Sequence, residues 1–278
     1  MELSELDFIF WSIEWIDMRR DPIVLYENGQ HKCLMFADLV EGEGVQSNQF
    51  FIEDHGETML LDPGGDLTYM PLSFNLGRYT NVRNLKYIFA SHQDPDIISA
   101  LDKWLLHTHA KAICSKLWSR FLPHLTANYL KINHGVSTFD RIIPLPDRGD
   151  VILLGRSRLQ ALPAHFLHSV GNFQIYDPVS RILFSGDMGA SMTDSIGSVQ
   201  DFSAHIPLME GFHRRYMVSR KVCALWAHMV RRLDVEMIVP QHGQRFEGKV
   251  MIDQFLNWIE HLDCGVDLLN QRNYMPLE

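Results

Sequence analysis

The chain has 278 residues, 46% hydrophobic and 21% charged, a composition that can bury a sizeable core and excludes a disordered segment. Lys and Arg number 25 against 34 Asp and Glu, for a net charge of −9, which disfavours a nucleic-acid partner. No apolar run reaches the roughly 18 residues needed to cross a bilayer, so no membrane insertion is expected. The first residues, Met-Glu-Leu-Ser-Glu-Leu-Asp, are acidic where a signal peptide is basic. Cys33, Cys114, Cys223 and Cys264 are scattered without a CxxC pair. The expectation is a reduced, cytoplasmic protein.

In chain order, strands are predicted at Cys33–Phe36, Gln49–Glu53, Thr58–Asp62, Tyr87–Ala90 and Ala112–Cys114. Asp54-His55-Gly56-Glu57 reads as a hairpin turn between the second and third. Helices are predicted over Ile97–His107 and over Ser115–Leu122, the latter with a Ser cap and a stop before Pro123. Further strands fall near Val151–Leu154, Leu159–Pro163, Phe173–Tyr176 and Ile182–Ser185, the last two joined by Asp177-Pro178-Val179-Ser180. Val222, Leu225, Met229 and Leu233 then repeat at helical spacing. A strand at Met237–Pro240 precedes a terminal helix around Val250–Leu269, with Ile252, Phe255, Ile259 and Leu262 on one face. Strands clustered in each half with helices interposed predict an α/β fold, an αβ/βα sandwich of two mixed sheets covered by helices. One domain is expected over 1–278, with structural halves of approximately 1–145 and 146–278.

The most informative stretch is Tyr87-Ile-Phe-Ala-Ser-His92-Gln-Asp94-Pro-Asp96-Ile97. An apolar strand ends at Ser91, and His92, Asp94 and Asp96 follow at spacing two, which in extended chain points them the same way. Pro95 disfavours the helical region for Asp94 and extends the run to Asp96, a candidate helix cap. One imidazole and two carboxylates make an oxygen-rich metal site; the bland alternative is a polar strand-to-helix loop. Three more ligand-type residues follow apolar strands: His168, Asp187 in Phe184-Ser185-Gly186-Asp187, and His242 in Pro240-Gln241-His242-Gly243. Open α/β architectures place their sites at such strand ends.

In this order and spacing, the set resembles the metallo-β-lactamase fold, specifically its flavodiiron branch, across nearly the whole chain. The resemblance implies one iron held by His92, Asp94 and His168, a bridging Asp187, and a second iron held by Asp96, Asp187 and His242. Asp62, in Leu60-Leu61-Asp62-Pro63-Gly64, would orient the surroundings from outside the ligand set. His165 matches no ligand position and reads as structural or outer. Three carboxylates opposite two divalent ions leave about +1, against about +2 in dizinc hydrolases with one carboxylate fewer. That density weakens a Lewis-acid role and favours ferric iron with an oxo, hydroxo or peroxo bridge.

Three departures from the branch shape the functional expectation. Asp94 stands where the pattern has Glu, a reach shorter by about 1.5 Å, so either ligation is strained or the loop sits closer. Ile97 stands where many members carry a histidine; it cannot ligate, leaves an open position and lines the pocket with hydrocarbon. The chain ends at Glu278 with no flavodoxin-like domain and no phosphate-cradling loop, so no bound FMN is expected. These features resemble the oxygen-binding diiron proteins, a flavin-free group linked to O2 and iron sensing in bacterial chemotaxis. The leading expectation is a non-haem diiron protein that binds O2 as a peroxo-type adduct and senses it. Its partners would include a chemoreceptor, and a homodimer is open.

Two rivals share the ligands. One is an O2 or NO reductase fed by an external electron-donor protein; the other is a dizinc hydrolase, disfavoured because Asp94 and Ile97 replace histidines that zinc prefers. His107-Thr108-His109 imitates the hydrolase motif, but Ala110-Lys111 follows instead of Asp-His. It reads as a solvated helix end. His124, His134, His205, His213, His228 and His261 read as surface or cap residues, and Trp11, Trp15, Trp104, Trp118, Trp226 and Trp258 as core.

Overall fold

The computed structural model describes residues 20–125 and 137–276. Short runs rich in aromatic and branched side chains pair into two sheets. The first contains β1 (Ile23–Asn28), β2 (His31–Phe36), β3 (Gln49–Asp54), β4 (Glu57–Leu61), β5 (Tyr87–Phe89), β6 (Lys111–Ser115) and β7 (Ile142–Leu145), side by side in that order. β1 to β4 form an antiparallel meander; β4 to β7 run parallel. The second contains β8 (Asp150–Leu154), β9 (Ser157–Pro163), β10 (Phe173–Asp177), β11 (Ile182–Phe184), β12 (Met237–Val239) and β13 (Phe246–Glu247), paired in sequence. It too begins as a meander and turns parallel, at β11–β12.

Side-chain alternation fills three layers. Met59 and Leu61 of β4, and Ile182 and Phe184 of β11, point between the sheets, joining Phe50, Ile52, Phe173, Ile175 and Val239. The intervening Leu60 points outward to a layer containing α1 (Asp66–Leu76) and α3 (Leu101–His107), against Leu72, Leu101 and Trp104. Leu183 points to the opposite layer of α4 (Phe202–Tyr216), α5 (Arg220–Val230) and α6 (Lys249–Ile259), against Trp226 and Phe255. Burial on both faces is why these central strands read as unbroken apolar runs. Among the described residues no helix is long and apolar enough to cross a membrane.

Several expectations are corrected. The helix predicted over Ile97–His107 is two pieces, α2 (Pro95–Ile98) and α3, because Ala100 gives its N–H to the Gly64 carbonyl at 3.0 Å. Ser115–Leu122 is a series of turns: Ser115 still pairs with Leu145 in the sheet, and the Lys116 N–H bonds the Leu145 carbonyl. The terminal helix stops at Ile259 and a short 3₁₀ turn, Gly265–Leu268, follows. On α5 the buried face is Cys223, Trp226, Ala227 and Val230, while Leu225 is 60% exposed; the apolar spacing had marked the adjacent stripe. α1 went unpredicted because two of its four buried residues, Thr68 and Asn75, are polar. β1, β7 and β13 were also missed; β1 and β7 are edge strands with little burial. Trp104 and Trp226 are buried and Trp258 packs against the same layer as Trp226, whereas Trp118 is half-buried. Trp11, Trp15 and His134 lie outside the described residues.

Phe50 and Phe184 meet across the sheets, ring centroids 5.0 Å apart. Truncating Phe50 to Ala is expected to cost about 3–5 kcal/mol, read as a lower denaturant midpoint without a changed slope.

Candidate metal centre

Parallel pairing brings strand ends to one rim. β4 and β5 end together, so Asp62 and His92 leave the sheet as neighbours, and the Asp62 N–H bonds the Phe89 carbonyl at 2.8 Å. β11 and β12 end together, so Asp187 and His242 do the same. Two backbone bonds join the sheets here: Asn48 N–H to Gln241 O at 2.6 Å, and Phe173 N–H to Ser91 O at 3.1 Å. The second anchors the loop that carries His168.

The chain bends at His92 and is extended at Asp94. The helix begins at Pro95, so Asp94 rather than Asp96 occupies the N-cap position, and Asp96 lies on the first helical turn. That turn separates the two carboxylates. Asp94 Oδ2 lies 3.8 Å from His92 Nε2 and 3.2 Å from His168 Nε2, whereas Asp96 Oδ2 faces His242 Nε2 at 3.6 Å. Asp187 stands between: its Oδ2 is 2.7 Å from His168 Nε2 and 3.4 Å from His92 Nε2, and its Oδ1 is 3.5 Å from His242 Nε2. Ligand atoms of His92, Asp94, His168 and Asp187 all lie within 4.8 Å of one another. Asp94 belongs to this group despite its short side chain.

The remote nitrogens set the ring orientations. His92 Nδ1 pairs with Ser91 Oγ at 2.9 Å, and His242 Nδ1 donates to the Gln46 carbonyl at 2.6 Å. Each Nε2 is thereby aimed inward, the arrangement that outer partners impose on metal-binding histidines. His92 Nε2 and Asp187 Oδ1 are buried with no partner in hydrogen-bond geometry. Such orphaned atoms are costly unless an ion satisfies them, and three imidazoles with three carboxylates fit two hard-to-borderline cations.

Asp62 accepts the Ser91 N–H at 2.8 Å through Oδ1 and the Gln241 side-chain amide through Oδ2. Burial pushes its carboxyl up to about 6, against the lowering effect of these bonds. Gln241, fully buried, also donates to Ser91 Oγ at 3.1 Å and its backbone N–H bonds Gly186 O at 2.9 Å. It thus connects the strand ends that carry His92, Asp187 and His242. Ile97 is fully buried on α2, its carbonyl accepting the Gly64 N–H at 2.9 Å. His165 points elsewhere, donating to the Asp147 carbonyl at 2.7 Å and packing its ring on Phe173.

Two histidines read as surface residues are buried, which corrects that expectation. His205 packs on Phe246. His213 accepts the Gly189 N–H at Nε2 (3.0 Å) and donates from Nδ1 to the Met209 carbonyl (2.9 Å). Burial holds its pKa down at about 4, so it is a neutral brace for the loop carrying Asp187. Sequence spacing missed it because a helical histidine facing a glycine backbone leaves no motif.

Electrostatics couple the inner groups. Burial alone would lower His168, but its hydrogen bonds to Asp187 and Asp94 push it up to about 10. Burial would raise Asp187, yet the His168 contact and the neighbouring His92 and His242 imidazoles hold it well below the carboxylate range.

Comparison with known proteins adds a lineage to this geometry. The family described as ODP family beta lactamase matches residues 45–243. The chain is 41% identical to the structure "Peroxy diiron species of chemotaxis sensor ODP", with a TM-score of 0.80 over 92% of this chain and 100% of that one. It is 40% identical to the apo state of chemotaxis sensor ODP from T. denticola, with a TM-score of 0.78 over 92% of this chain and 99% of that one. Rubredoxin oxygen:oxidoreductase from Desulfovibrio gigas shares the fold at 14% identity, with a TM-score of 0.68 over 86% of this chain and 62% of that one. Among curated proteins, an uncharacterized protein of Methanocaldococcus jannaschii is 24% identical over 77% of this chain, which spans only 53% of that relative's length.

Two outcomes follow from the geometry. Gly243 has φ +77°, and a Cβ there would lie 2.1 Å from Ser191 Oγ and 2.6 Å from its carbonyl. Gly243→Ala is therefore expected to displace His242 and to reduce bound metal per chain, measured by elemental analysis of folded protein. A metal must also displace the His168 proton. Because His92 is raised as well, apparent affinity should rise with pH by at least about tenfold per unit and flatten above about 10, in competition titrations with a chelator.

Proposed function

The chain belongs to the ODP family of beta-lactamase-like proteins, and on that premise we propose that it is a diiron O2-binding sensor. His92, Asp94 and His168 would hold one iron, Asp96 and His242 the other, with Asp187 shared. The observation that carries this reading is the position of Asp187, whose two oxygens face separate imidazole groups. Each half of the chain supplies three ligands: His92, Asp94 and Asp96 come from the part before residue 145, and His168, Asp187 and His242 from the part after it. We read these halves as one domain.

Carboxylate-rich donors favour iron over zinc. Two ferrous ions supply the electrons that O2 capture requires. The residues do the rest: Ser91 and Gln46 fix the imidazole directions, Gln241 and Asp62 brace Ser91, and Ile97 offers no donor at the position where a histidine would close the coordination. A sensing role also draws on the relatives titled chemotaxis sensor. In this reading the protein is cytoplasmic and its signalling partner is a chemoreceptor; NO, a separate electron donor and a homodimer are secondary possibilities.

Anaerobic loading is expected to give two irons per chain, and admission of air a long-lived visible absorption band. Asp187→Asn, which removes the shared charge, should bind fewer irons and give no band. Aerobically purified protein that holds zinc and cleaves generic esters would establish the hydrolase instead. Rapid bleaching with turnover of an added rubredoxin or flavoprotein donor would establish the reductase.

A further inference from the structure

The pole of the sandwich opposite this centre holds another group of ligand-type side chains. β4 runs from one pole to the other: the six-residue centre gathers where it ends, and Asp54 and His31 sit where it begins, paired at the ends of β3 and β2. His31 and Cys33 lie two residues apart on β2, and Asp177 ends β10 of the other sheet. One ligand atom from each of the three lies within 4.8 Å of the other two. The three residues are buried.

The distances have a recognisable form. Cys33 Sγ is 3.7 Å from His31 Nε2 and 3.5 Å from Asp177 Oδ2, and that nitrogen and oxygen are 2.7 Å apart. Tetrahedral zinc, with bonds of about 2.3 Å to sulfur and about 2.0–2.2 Å to nitrogen and oxygen, places sulfur about 3.6 Å from each lighter donor. It places nitrogen and oxygen about 3.3 Å apart. Two edges already have these lengths, and the third opens by roughly 0.6 Å.

The surroundings are prepared in the same sense. His31 Nδ1 bonds Asp54 Oδ1 at 2.9 Å, and Asp54 Oδ2 is fixed by the Arg156 and Ser157 N–H groups at 2.6 and 3.1 Å. A carboxylate on the remote nitrogen is how proteins orient metal-binding histidines. Ser180 Oγ, which donates to Asp177 Oδ2, is a further oxygen beside the three. His31, Asp54 and Ser157 line an open surface cavity of about 390 Å³.

We propose that His31, Cys33 and Asp177 form a mononuclear site for a divalent cation of the zinc class, separate from the carboxylate-rich centre. Imidazole with thiolate selects zinc over magnesium, calcium or manganese. In the metal-free protein His31 is bonded to carboxylates through both nitrogens and carries a proton on each, while the Cys33 thiol donates to Asp177. Binding exchanges the Nε2 proton and the Sγ proton for one M²⁺. Two positive charges leave and two arrive, so the buried cluster keeps its net charge and no uncompensated charge is created. Two protons are released per ion.

Cobalt(II), titrated into the full-length protein as zinc's spectroscopic substitute, tests this directly. A near-ultraviolet thiolate-to-cobalt band is expected that levels off at one thiolate-bound cobalt per chain; cobalt binding there releases two protons, and zinc displaces the band with no further release. The carboxylate-rich centre contains no sulfur, so its occupancy does not enter this signal. The band should vanish in Cys33→Ala and persist in Cys223→Ala, which controls for the Cys223–Cys264 pair, with sulfurs 3.8 Å apart. If Cys33→Ala fails to fold, X-ray absorption at the cobalt edge of wild-type protein whose carboxylate-rich centre is first filled with iron decides: one sulfur neighbour supports the site, and none or two overturns it. Absence of the band from folded protein, or its survival in Cys33→Ala, also overturns it.

Discussion

The Asp187 carboxylate is the point at which the two sheets' contributions become one centre. It is 2% exposed and follows β11 in the second sheet, yet the groups it faces come from both sheets. His92 arrives from β5, His168 from the loop after β9, and His242 from β12. A buried carboxylate so placed would be untenable alone. It is held ionised by imidazoles that in turn are raised by it and by Asp94. The carboxylates can stand this close because imidazoles lie between them.

Around this centre the protein spends ordinary structural groups on aim. Ser91, Gln46, Gln241, Asp62 and His213 touch the ligand residues' rings, backbones or loops, and each is engaged through a specific atom. Ligand geometry depends on such partners as much as on the ligands. The opposite pole uses a related device with different chemistry. There an imidazole between carboxylates joins the sheets, beside a thiol. One end is rich in oxygen and the other carries sulfur, so the two poles differ in the cations they suit.

The parallel strand pairs explain how distant segments meet. β4–β5 and β11–β12 each deliver two chain ends to one rim, and the two sheets stack so that these rims face each other. Short interstrand registers suffice: three residue pairs in each case. The inter-sheet backbone bonds at Asn48 and Phe173 then lock the rims together.

Much of this was legible in the sequence. Apolar runs that end in His92, Asp62, Asp187 and His242 announce strand ends with ligand-type residues, because a strand buried on both faces leaves a continuous signature. The two-residue spacing of His92 and Asp94 is also local, and both reach the centre from the segment between β5 and α2. What the sequence could not decide is where the extension stops. The helix begins at Pro95 with Asp94 as its cap, rather than after an Asp96 cap, and that shift turns Asp96 towards His242. Non-local partners were equally silent: Gln241, His213 and His31 matter because of atoms 24 to about 150 residues away. Residue types and strand ends are local properties that composition and periodicity encode. The pairing of those ends, the direction of each ring and the sharing of one carboxylate depend on how two sheets pack, which only the folded chain specifies.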